Sequence, residues 1–141
     1  MWIFTKLGFF SVVQVAGDPK HVQIRARTHG DLARLCKLGD PELSPEQIKA
    51  TPDNDYPFRI IAHRSDWLNL LEALGDEVDY TNFKSEIART MGREREGLYH
   101  EVWAVVQRGL ARFRTAGVLP PKRAAKPRKL KGGAKTERVG P

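Results

Sequence analysis

The chain has 141 residues, 40% of them hydrophobic, which suffices for one domain with a modest core. Its net charge of +7 resides wholly beyond Thr115, where residues 116–141 hold eight Lys and Arg against the single acid Glu137, so residues 1–115 are neutral overall. A lone cysteine, Cys36, excludes an intramolecular disulfide, and no run reaches the roughly 18 apolar residues that span a bilayer; a cytoplasmic protein without a membrane partner is expected.

The opening MWIFTKLGFFSVVQVAG is apolar, but it lacks a basic start and is interrupted by Lys6, Ser11 and Gln14, so it reads as structure rather than as an export signal. Its aromatic and branched residues, with Leu7-Gly8 as a turn signal, predict one bent strand or a tight hairpin. AGDPK at 16–20 turns the chain. In HVQIRART, Val22, Ile24 and Ala26 alternate with Gln23, Arg25 and Arg27, the pattern of a half-buried strand. Leu32, Leu35 and Leu38 then fall at helical spacing over 31–38, with Gly39 and Pro41 as stop signals. SPEQ at 44–47 has the form of a capped helical turn.

TPDND at 51–55 is a turn cluster, and YPFRIIAH after it has strand composition. Ser65 is placed to cap a helix whose apolar face is Trp67, Leu70, Leu71 and Leu74, with Gly75 as its stop. Further helices are expected over 82–91 and 93–114. In the last of these Leu98, Val102, Val105, Val106, Leu110 and Phe113 form a stripe read as core. Beyond Val118 the Pro, Gly, Lys and Ala content offers too little apolar surface to offset the entropy of ordering, so a disordered tail is expected.

This order of elements predicts an α+β fold: a small two-layer sandwich with a three- or four-stranded mixed sheet, helices mainly on one face, a globular domain over 1–115 and a basic tail over 116–141. The strand, helix, strand unit of 21–63 suggests a right-handed crossover joining two parallel strands. The sheet side carrying Arg25, Arg27, Arg59 and His63 is then the exposed one.

The blocks MWIFTKLGFFSVV, IRARTHGDLARL, DYPFRI, DYTNFKSEI and YHEVW, all within residues 1–107, together resemble a family of small bacterial and bacteriophage proteins without an assigned function. The resemblance implies a bacterial or phage origin and marks the tail as an extension on a shared body. It carries over no activity, cofactor or catalytic residue.

Enzyme signatures fail on spacing. His21, His29, His63 and His100 lack ligand spacing, and HEVWA at 100–104 has Ala104 where a zinc-protease helix needs its second His. Asp18-Pro19-Lys20 is the one acid, x, Lys match and sits in a turn. No nucleophile elbow, phosphate loop or dinucleotide motif occurs. No metal, no cofactor and no catalytic residue is therefore assigned, and a non-enzymatic role is favoured.

Two constellations remain. Arg25, Arg27 and Arg59 share the polar side of strands; they are either a solvated face paired to nearby acids or a phosphate-contacting face, with Phe10 and Tyr56 as candidate base-stacking aromatics. Lys84, Tyr99, His100 and Trp103 form an aromatic and basic group, with Tyr99 and Trp103 expected to stack at i and i+4; it reads as core packing or as a pocket. In the tail, Lys122, Arg123, Lys126, Arg128, Lys129 and Lys131 are candidate phosphate contacts. The favoured function is a nucleic-acid-associated accessory or interaction protein that contacts a nucleic acid or other polyanion through the tail. The alternatives are a small-ligand binder or enzyme using Arg25, Arg27, Lys84 and His100, and a protein-binding module, such as a phage factor acting on a host complex.

Overall fold

The computed structural model describes residues 1–38 and 43–111. The chain divides into two compact units, Met1–Ala104 and Val105–Pro141. The stop signals Gly39 and Pro41, the residue Phe113 and the whole tail from 116 lie outside the described residues.

The elements run β1 (Trp2–Phe4), β2 (Phe9–Val15), β3 (Asp18–Ala26), α1 (His29–Leu38), a single 3₁₀ turn (Pro45–Gln47), β4 (Lys49–Ala50), β5 (Phe58–His63), α2 (Arg64–Asp76), α3 (Phe83–Thr90) and α4 (Arg93–Ala111). The fold is α+β. Its sheet has five strands in the order β1-β2-β3-β5-β4, one or two more than the sequence predicts. Every pairing is antiparallel, so the expected mixed sheet is corrected. The reason lies in β4. Chain that leaves β3 through α1 returns first as β4, which runs parallel to β3 but one place further out; it then reverses through 51–57 so that β5 enters between them, antiparallel to both.

The opening segment is the hairpin option, β1 pairing with β2 through Trp2↔Ser11 and Phe4↔Phe9. Thr5 caps the turn between them, its Oγ1 accepting from Leu7 N and Gly8 N. Gly17, at φ 75°, makes the next turn in a conformation that side-chain-bearing residues rarely adopt.

Alternation divides the sheet into two faces. Phe10, Val12, Val22, Ile24, Ala26, Ile60 and Ala62 point inward and are buried against Leu32, Leu35 and Cys36 of α1 and Trp67, Leu70 and Leu74 of α2. The α2 helix begins two residues earlier than Ser65 implies: His63 is its N-cap, with Nδ1 accepting from Ser65 N. Gly75 lies inside its last turn rather than beyond it. The α3 helix starts at the expected Asn82, whose side chain accepts from Ser85 N, and buries Ile87 completely.

A buried carboxylate ties three segments together. Asp31, at the start of α1, is 1% exposed. It accepts from Phe9 N (3.2 Å), from Arg34 Nη2 (2.6 Å) and from both terminal nitrogens of Arg95 (3.2 and 3.1 Å). Two guanidinium partners and an amide offset the desolvation of one acid. Gly8 packs beside it so closely that a Cβ there would stand 2.6 Å from Asp31 Cβ, which excludes any other residue without displacement.

The stripe of α4 does not form core. Leu98, Val102, Val105, Val106 and Leu110 are all exposed, and Tyr99 is the one buried residue of the helix among those described. Periodicity establishes that these residues share a side of a helix; it does not supply a surface to cover them.

Candidate functional site

The outer sheet face is where the polar halves of the alternating strands collect. Arg25 of β3 and Arg59 of β5 stand directly opposite one another in register. Like charges so placed are mutually destabilising unless something intervenes. The buried Tyr56, 3% exposed, holds its ring 5.0 Å from the Arg25 guanidinium and 4.8 Å from that of Arg27. Arg25 also donates to Ser11 Oγ (2.8 Å), Arg59 to the Tyr56 carbonyl (3.2 Å) and Arg27 to the Asp55 carbonyl (3.2 Å). Among the described residues none of the three guanidinium groups pairs with a carboxylate. Their partners are neutral oxygens and one π face, so the positive charge of the cluster is uncompensated.

The two aromatics singled out from the sequence take other roles. Phe10 is fully buried on the inner face, and Tyr56 is roofed by the arginines, so neither offers a free stacking surface. The available aromatic surface is at β1 and β2: Trp2 is 70% exposed and meets Phe9 edge-on at 5.9 Å, while Phe4 stacks on Phe9 at 4.3 Å.

Beside the arginine cluster lies a groove of about 480 Å³. Trp2, Phe4, Phe9 and Tyr56 form its sheet side, and Leu98, Tyr99 and Val102 its α4 side, with Arg27, Arg95 and Asp31 as its charged residues. Tyr99 meets Phe4 edge-on and stacks on Phe83 of α3. Burial raises the pKa of the Tyr99 phenol above its ordinary value and keeps it neutral. The Tyr56 hydroxyl is buried and, among the described residues, has no hydrogen-bond partner, while the buried Tyr99 side chain lies against Arg95.

The second group from the sequence splits. Lys84 donates to His100 Nδ1 at 2.6 Å and sits 4.4 Å over the ring of Trp103, which in turn stacks on His100. His100 and Trp103 are exposed, whereas Tyr99 is buried and stacks on Phe83; the expected Tyr99–Trp103 stack is replaced by these two separate pairings. Lys84 and His100 therefore do not join Arg27 in the groove.

The other chemical candidates serve local structure. Asp18 accepts from Lys20 N and lies 2.6 Å from His21 Nδ1, a contact that lowers its pKa below the usual aspartate value. The Cys36 thiol is buried in the core, and desolvation raises its pKa. No group of three or more His, Cys, Asp or Glu suited to a metal ion occurs among the described residues. Lys122, Arg123, Lys126, Arg128, Lys129 and Lys131 lie outside them.

Sequence reasoning missed Trp2, Phe4, Phe9, Asp31 and Arg95. The first three carried a usable signal, because in a β1–β2 hairpin the alternate residues Trp2 and Phe4 pair with Ser11 and Phe9 on the face opposite Phe10. No helix of the described residues is long and apolar enough to cross a membrane. No protein-family model matches the chain, and comparison with curated proteins and with solved structures likewise gives no match.

Proposed function

We propose that this is a non-enzymatic, nucleic-acid-associated binding protein of the cytoplasm, in which the arginine face of the sheet contacts phosphate and the basic segment 116–141 adds sequence-independent affinity. The observation that carries this reading is the set Arg25, Arg27 and Arg59, grouped at one tyrosine, none of them in an ion pair with a carboxylate among the described residues. Charge left uncompensated on a folded surface favours an anionic partner, and guanidinium groups suit phosphate through planar, paired donors. Eight further bases in the tail extend the same preference.

Titration of a labelled single-stranded oligonucleotide at several salt concentrations tests it. Affinity falls with salt by about 0.7 log units per log unit for each phosphate neutralised on a single strand, so R25A/R27A lowers the slope by about 1.4. An unchanged slope removes the sheet face from the interface.

A second reading, a protein-binding module, is favoured by the exposed apolar residues Leu98, Val102 and Trp103 of α4. Affinity capture with and without nuclease treatment separates the two, since a protein partner is retained after nuclease and a nucleic-acid-mediated one is lost. The enzyme or small-ligand reading is weakened because Arg25 and Arg27 are grouped around Tyr56 while Lys84 and His100 pair beside Trp103.

A further inference from the structure

A charged face alone needs no cavity, yet an aromatic groove adjoins the arginine cluster. We infer that this groove receives one unstacked base of a single strand whose phosphates lie on the arginines; the inference rests on the nucleic-acid reading and specifies its ligand. Three features agree. At about 480 Å³ the groove falls within the usual range of ligand pockets. Its lining includes the rings of Trp2, Phe4, Phe9 and Tyr99, and Trp2 is 70% exposed, so a planar group has π surface to stack on. Arg27 belongs both to the groove and to the uncompensated cluster, which places a phosphate contact next to a base contact.

An apolar peptide side chain would fill the same space less well. It would bring no anion to Arg27, so charge favours the nucleotide.

The test uses the full chain and two probes with equal numbers of phosphates, an oligothymidylate of about ten nucleotides and the abasic phosphodiester of the same length. The oligothymidylate binds roughly 5- to 150-fold more tightly, the range expected for stacking one base. Trp2→Ala, at an exposed position, and Val102→Trp, which fills the groove from the helix side, each abolish that preference while leaving the abasic affinity unchanged. Equal binding of both probes by the unmodified protein overturns the base site and leaves the charged-face reading standing. Binding of neither probe overturns both. Retention of the preference in both variants shows that the base is held elsewhere and also overturns the inference.

Discussion

The two faces of the sheet are built from the same strands, often from adjacent residues, yet they are held by different forces. Ile24 is completely buried among aliphatic side chains, whereas the next residue, Arg25, is half-buried against a tyrosine ring and a serine hydroxyl. Pleating separates them. The inner face derives its strength from removal of apolar surface from water, which is indifferent to direction. The outer face depends on directional contacts to neutral partners, which hold the arginines in place without cancelling their charge. A surface of the second kind keeps its charge because its order does not consume its electrostatics.

The largest effect is expected away from both faces. Asp31→Ala leaves Arg34 and Arg95 without their shared carboxylate and Phe9 N without its acceptor, and costs about 3 to 5 kcal/mol in denaturant unfolding. A loss near zero would show that water replaces this carboxylate without cost. On the inner face, Ile24→Ala opens a cavity and costs about 2 to 5 kcal/mol, with nucleic-acid affinity unchanged once the variant is folded.

On the outer face the two arginines of β3 and its C-terminal end should differ. Arg25→Ala loses a hydrogen bond to Ser11 and the contact with Tyr56, for about 1 to 2 kcal/mol. Arg27→Ala, at an exposed position, stays within about 0.5 kcal/mol of the parent while still weakening oligonucleotide binding. Melting and binding measured on both single variants test the distinction; equal stability losses would make Arg27 as structural as Arg25.

The smallest effect concerns acid. The hydrogen bond from Arg89 lowers the Glu86 carboxyl pKa below its usual value, and Lys6 does the same for Asp79. A carboxylate whose folded pKa is depressed contributes stability that is complete above its unfolded value, near 4.3 for glutamate, and that is lost as pH falls through the folded one. Glu86→Gln should therefore flatten the acid limb of melting temperature against pH. A variant with an acid limb as steep as that of the parent would exclude Glu86 as a contributor.

Legibility in the sequence followed the range of the interactions involved. The outer placement of Arg25 and Arg59 and the core side of β3 could be read because strand alternation is local and strict. The direction of β5 could not: it depends on β4, two residues long, whose Lys49 and Ala50 leave no pattern to detect. The exposure of Leu98 and Val102 was hidden for a related reason, since amphipathic spacing names a side of a helix but not its neighbour. Of the groove, Trp2, Phe4 and Phe9 follow from the hairpin alternation, while Arg95 reaches Asp31 from 64 residues away and carries no local mark.

That long reach gives one backbone proton an unusual vantage point. The Phe9 amide is bonded to the same Asp31 oxygen, Oδ2, that accepts from Arg95 Nη1. Its exchange with deuterated solvent should therefore report on the seating of Arg95 as well as on the hairpin that contains it. A molecule entering between Trp2 and Val102 would press on the residues that hold this oxygen in place. Slowed exchange at Phe9, with the amides of the inner strands unchanged, would register that arrival without any label on the ligand.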